Sequence, residues 1–167
     1  TQATDIPNVG RFAVLQDPMT EEGFPDGRFT RNTRMLAYNT ATGLNTAQYI
    51  YQLESLNRIN ARVPANSLVP GAQGSSIGVS ALAAISDHEF LVLERDNRGF
   101  GINDPTLSTP VSTKRIYRIN IAGATNVSGI SLAGTNALPA VVMPVTKTLC
   151  IDVQAELQAA KTTVPDK

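Results

Sequence analysis

The chain has 167 residues, of which 42% are hydrophobic and 17% charged, and its formal net charge at pH 7 is zero. That length supports one domain with a real core, and the balanced charge argues against nucleic acid or an anionic membrane as the main partner. No apolar run approaches the roughly 18 residues of a membrane span, and the single cysteine, Cys150, has no partner for an internal disulfide. The basic side is arginine-heavy, ten Arg to four Lys, which suits forked contacts to carboxylate or phosphate.

In chain order, residues 1–10 are polar, contain Pro7 and Gly10, and show no strand periodicity. The chain opens at Thr1 without a methionine, so an upstream segment is expected to have been removed. Phe12-Ala-Val-Leu15 reads as a short strand ending in Gln16-Asp17-Pro18, and a polar loop runs from there to Thr33. Arg34–Tyr38 is a second strand, Asn39–Gly43 a turn, and Gln48–Leu53 an alternating third strand. The connection Glu54–Gly78 holds Pro64 and Pro70, and its glycine-rich end, Gly71–Gly78, lacks the lysine of a phosphate loop. Val79–Ile85 and Phe90–Leu93 form a hairpin across Ser86-Asp87-His88-Glu89. The hairpin runs straight into Glu94-Arg95-Asp96-Asn97-Arg98. Arg115–Asn120 and a segment within Val141–Val153 are further strands, and 153–161 reads as a short helix with Asp152 as N-cap.

The second half echoes the first. Phe90-Leu-Val-Leu93-Glu94 repeats Phe12-Ala-Val-Leu15-Gln16 after 78 positions, and Arg115–Asn120 repeats Arg34–Asn39 after 81. Such a period predicts an all-β chain of antiparallel four-stranded β-propeller blades. Blade one covers about 11–53, blade two about 77–153, and the helix about 153–161. Nothing in residues 1–10 matches Val79–Ile85, so the first blade is expected to lack its innermost strand. Two blades leave unpaired edges, so the remaining blades are expected from more chain or from partner chains.

Blade geometry gathers the loops Asp17–Thr33, Glu54–Gly78 and Glu94–Ser112 at one end. With them come eight of the fourteen acids and six of the ten arginines, Asp26, Asp104, Arg31, Arg58 and Arg62 included. Carboxylates suit a hard cation and arginines an anionic ester, the combination used in metal-assisted phosphoester hydrolysis. The candidate catalytic residues are Glu94, Arg95 and Arg98. The candidate ligands, for Ca²⁺, are Glu94, Asp96, Asn97, Asp17 and Glu22. The same charges can instead pair with one another, Glu94 with Arg95 or Arg98. His88 falls in the turn at the opposite end, and no Gly-x-Ser-x-Gly elbow is present, which argues against a Ser–His–acid triad.

Four segments, Ile77–Ile85, Asp87–Gly99, Lys114–Thr125 and Pro144–Leu149, resemble the phytase-like family of secreted β-propellers, described as "esterase-like activity of phytase". Weaker similarity lies at Gln16-Asp-Pro18 and Arg31-Asn-Thr-Arg34. The resemblance implies a periplasmic or extracellular phosphoester or ester hydrolase acting on a small anionic ester. It also implies that a further strand follows Lys167 to open the next blade. Two other functions fit the same residues, a non-catalytic propeller module for binding or assembly and a calcium-dependent lactonase.

Overall fold

The computed structural model describes residues 2–7, 9–63, 68, 73–98 and 111–163. They form two antiparallel four-stranded sheets with few helices. The first sheet is β1 (Gln2–Ile6), β2 (Gly10–Val14), β3 (Asn32–Tyr38) and β4 (Asn45–Gln52), paired in that order. The second is β5 (Ile77–Ala84), β6 (Glu89–Asp96), β7 (Lys114–Asn120) and β8 (Thr146–Asp152). Helix α1 (Leu56–Arg62) and the one-turn α2 (Gln73–Ser76) lie between the sheets in sequence, and α3 (Val153–Thr163) follows β8. Asp152 Oδ1 accepts from the Ala155 N–H (3.1 Å) at the start of α3.

The first sheet is complete, which corrects the expectation that its innermost strand is missing. Gln2–Ile6 pairs with β2 from Gln2 opposite Val14 to Ile6 opposite Gly10. The strand escapes a reading by hydrophobicity because little of residues 3–6 is buried: Ala3 and Asp5 are exposed, and Thr4 and Ile6 are half-buried. Its register is set by backbone bonds and a tight reversal, in which the Val9 N–H reaches Ile6 O (3.1 Å). Gly10 closes the reversal at φ 152°, and a Cβ there would stand 2.5 Å from Tyr38 O.

The two sheets pack face to face, with β1 beside β5, and the main core lies between them. Sheet one contributes Phe12, Val14, Met35 and Tyr51, and sheet two contributes Leu82, Phe90, Val92, Tyr117 and Ile119. The rings of Phe12 and Phe90 meet at 4.9 Å. Corresponding strands run the same way. Strands β2 and β6 end on one side, where Gln16 O accepts from the Val79 N–H (2.9 Å), and Arg31 and Arg115, at the starts of β3 and β7, line one cavity there.

The pairing registers set how the two sequence echoes relate to each other. With Arg34 matched to Arg115, Leu36 is the counterpart of Tyr117. Leu36 pairs with Ala13 and Tyr117 with Val92, so Ala13 corresponds to Val92, an offset of 79. The 78-residue echo is therefore one residue out of step, and Glu94 corresponds to Leu15 rather than to Gln16. The slip is invisible in sequence because both strands are apolar on both faces, Phe-Ala-Val-Leu and Phe-Leu-Val-Leu.

The long connection between β7 and β8, residues 121–145, crosses to the outer edge of sheet one. There the Val127 N–H donates to Gln48 O (2.8 Å) and the Val145 N–H to Ile50 O (2.9 Å), closing the edge of β4. Val127, Leu132 and Val142 enclose Ile50 in a second, smaller core.

Candidate functional site

The structure does not bring the five candidate metal ligands together. Glu22 is buried on the far face of sheet one, where Arg34 grips its Oε1, and its Oε2 has no partner among the described residues. Arg34 is itself held by Val127 O (3.1 Å) and Ile130 O (2.7 Å). Asp96 is fully buried at the end of β6 and accepts from the N–H groups of Arg98 (3.1 Å), Ser112 and Thr113 (2.8 Å) and from Lys114 Nζ (3.0 Å). Those donors take up both of its oxygens, so Asp96 ties down the ends of the loop that follows β6. Asn97 Nδ2 donates to Ser75 O (3.2 Å). Asp17 lies against Gly78 near Arg95, and burial raises its pKa while Arg95 lowers it, the rise prevailing. Among the described residues, no three Asp, Glu, His or Cys side chains gather as a cation cage. Both oxygens of Asp96 and one oxygen of Glu22 are already engaged by cations or backbone donors.

The three candidate catalytic residues also separate. Arg95 points away from Glu94, to the other face of sheet two, and donates to Ser80 Oγ (2.6 Å). Arg98 donates to Ser112 Oγ (3.0 Å). Neither pairs with Glu94, which corrects the expected local ion pair: successive residues of a strand face opposite ways. His88 is half-exposed in the β5–β6 turn against Asp87. Asp104 and residues 71 and 72 lie outside the described residues.

Glu94 instead sits between the sheets, 1% exposed. Its Oε2 accepts from the Glu54 N–H (3.0 Å), and its Oε1 takes Tyr51 Oη and the ammonium of Lys147. Lys147 comes from the inward side of β8 and also donates to Gln52 O (3.0 Å). Burial lowers the Lys147 pKa against the pull of Glu94. Tyr51 and Tyr117 are both raised above their ordinary value by burial and by the neighbouring carboxylates.

Above this group lies a cavity of about 310 Å³ lined by Arg31, Gln52, Glu54, Arg58, Arg115, Tyr117, Val145, Lys147 and Leu149. Glu54 serves as its anchor. It accepts from Arg62 (2.8 and 3.1 Å), from Arg115 (3.1 Å) and from Tyr117 Oη (3.0 Å). Burial alone would raise its pKa, yet the two arginines hold it below the ordinary glutamate value. Arg115 is fixed from its other side by Asp152 (2.8 Å). The remaining two arginines differ. Arg31 donates its Nε to Leu53 O (2.8 Å), and neither Arg31 nor Arg58 has a carboxylate partner among the described residues. Burial depresses the Arg31 pKa, the charge of Glu94 opposes that fall, and the like charge of Arg58 adds to it.

Arg31, Arg58 and Glu54 fall within the loops that the sequence gathers at one end. Lys147, Tyr51, Tyr117 and Arg115 escape notice because they come from strands far apart in the chain with no shared motif. The readable signal is a polar side chain on an inward strand position. Lys147 faces the same way as Tyr117, where an apolar residue is the rule.

No curated protein and no solved structure matches the chain. The family model for phytase-like proteins, described as "esterase-like activity of phytase", matches residues 7–166, nearly the whole length. The chain therefore belongs to the phytase-like family.

Proposed function

We propose that the cavity between the sheets binds a small anionic ester, and that the chain forms the substrate-recognising part of a phytase-like phosphoester or ester hydrolase. One observation carries this reading: Arg31 and Arg58 line one partly enclosed cavity and neither is ion-paired among the described residues, while Glu54 on the same wall is engaged by Arg62 and Arg115. Arg31 is half-buried and loses hydration, Arg58 is exposed, and their like charges repel; a bound oxyanion offsets both costs. Guanidinium forks from Arg31 and Arg58 suit an oxyanion.

Metal assistance has no part in this reading, since the candidate ligands do not gather among the described residues. The lactonase alternative depends on a cation cage, which the described residues do not form. An extracytoplasmic location rests on the family resemblance. We also read the two sheets as successive blades of a larger propeller, a reading supported by their parallel placement and by the 79- and 81-residue offsets.

A specific observation favours a second reading, an anion-binding module without catalysis. Glu54 and Glu94 spend their oxygens on Arg62, Arg115, Lys147, two tyrosines and a backbone N–H, which leaves neither in position as a general base.

Calorimetric titration with inorganic phosphate, run beside a p-nitrophenyl phosphate assay, tests both. Arg31→Gln and Arg58→Gln should each weaken phosphate binding by about tenfold or more, the worth of a charge-assisted contact. Binding without turnover selects the module. Equal binding by wild type and both variants removes the cavity from consideration.

A further inference from the structure

The cavity between the sheets has two kinds of wall. Arg31 and Arg58 bring positive charge to it, whereas Val145 and Leu149 are apolar. Leu149 is the unusual member. It pairs with Tyr117 across β7 and β8, so the two side chains leave sheet two on the same side, toward sheet one. Tyr117 is 6% exposed there, yet Leu149 is 43% exposed and lines the cavity. An inward leucine left uncovered forgoes the burial that usually places such a residue on an inward face.

Most of the charge around the cavity is engaged. Glu54 is held by Arg62 and Arg115, Arg115 also by Asp152, and Lys147 by Glu94. Arg31 and Arg58 are left without an ion-pair partner among the described residues. Two such charges match a single phosphate-type group, which carries about −1.5 to −2 at pH 7. The cavity is also small. Its volume of about 310 Å³ lies at the lower end of ligand pockets, which run from roughly 300 to 1,000 Å³.

We infer that the cavity takes an oxyanion carrying one compact apolar group, such as a phosphate monoester of an aryl or short alkyl alcohol, with Leu149 as the residue that selects for it. The inference rests on the anion reading, which it narrows to one substrate class. Arg31 and Arg58 hold the oxyanion, and the esterified group covers Leu149. A polyol in that place would give up water from its hydroxyls, and the side chains of Leu149 and Val145 offer no donor or acceptor in return. A ligand with several phosphate groups brings more negative charge than the two arginines offset. Discrimination therefore runs against sugar-like esters and inositol phosphates.

Calorimetric titration of the complete native protein compares inorganic phosphate, phenylphosphonate, 2-hydroxyethylphosphonate and inositol hexakisphosphate. The two phosphonates carry the anionic head on a carbon and have no ester to hydrolyse, so binding is read without turnover. Phenylphosphonate should bind tighter than inorganic phosphate and 2-hydroxyethylphosphonate by about tenfold or more, and tighter than the hexakisphosphate. Leu149→Thr keeps a strand-favouring residue on the outermost strand of sheet two, and its melting temperature checks the fold. It should lower the ratio of phenylphosphonate to phosphate affinity by about threefold or more. Phosphate binding with no preference for the phenyl group, tightest binding of the hexakisphosphate, or an unmoved ratio in folded Leu149→Thr overturns the inference and leaves the anion reading standing. Should the variant fail to fold, the comparison of anions on wild type still decides. Binding of none of these anions overturns both.

Discussion

Lys147 reaches Glu94 by passing between two tyrosine rings, with its ammonium 4.8 Å from the centre of Tyr51 and 4.0 Å from that of Tyr117. Both rings attract the cation, and Glu94 neutralises it. One partner removed leaves the other as a buried, uncompensated charge. Lys147→Met and Glu94→Gln should each destabilise by about 3–5 kcal/mol. The double variant should cost less than the sum by about 1–3 kcal/mol, because it leaves no orphan charge. A double-mutant cycle in urea measures this, and simple additivity would refute the pairing.

The same cluster predicts the pH limits of the fold. Tyr51 and Tyr117 are raised above 10.0, so above that pH the unfolded chain loses phenolic protons that the folded chain retains, and stability falls. Lys147 works the other way. Its folded pKa is lowered from 10.5, so stability rises with pH between that lowered value and 10.5. At the acid end Glu54 is lowered from 4.5, so its contribution is whole above 4.5 and is lost as pH falls through its folded value. Tyr117→Phe should flatten the alkaline fall and Glu54→Gln the acid one, as read from unfolding free energies at stepped pH. Slopes that match wild type would dissociate these residues from the pH limits.

Asp96 is expected to matter for stability and not for calcium. Three backbone N–H groups and Lys114 converge on its carboxylate, and an amide in its place turns one oxygen into a donor facing donors. Asp96→Asn should cost about 1–3 kcal/mol, the penalty for unsatisfied buried groups. Millimolar Ca²⁺ should leave the melting temperature of wild type unchanged. A rise in melting temperature that Asp96→Asn abolishes would reinstate a cation site.

A steric contact links α2 to the loop that carries Arg31. A Cβ on Gly74 would stand 2.2 Å from Gly27 O and 2.8 Å from Thr30 O, both main-chain atoms that cannot swing aside. Gly74→Ala should therefore cost about 1–3 kcal/mol and lower the melting temperature by several degrees. Thr30 immediately precedes Arg31, so phosphate binding should weaken in the same variant. Unaltered melting and binding would mean that the two loops are not in firm contact.

Strands that bury one or both faces were legible in the sequence, β6 above all, since Phe90, Val92, Glu94 and Asp96 alternate along it. Strand β1 was not, because a half-exposed strand held by backbone bonds leaves no apolar rhythm. The gathering of Arg31, Arg58 and Glu54 at one end followed from loop order alone. Which carboxylate meets which cation did not follow. Glu94 has two arginines within four positions of it, yet the strand turns them away and a lysine 53 residues on takes the place. Adjacency along a strand predicts separation, and the partner comes from whichever chain segment faces the same core.

The closed edge of β4 has a consequence for how the protein is made. Strand β4 ends at Gln52, but the backbone groups that seal its outer edge belong to Val127 and Val145. At roughly 5–20 residues per second of synthesis, several seconds to about twenty pass between the emergence of the strand and of its cover. Through that interval the nascent first sheet carries an open template for pairing with neighbouring chains. A ribosome pausing between codons 52 and 145 would lengthen the exposure, so synonymous changes that slow this stretch should lower soluble yield without altering a single residue.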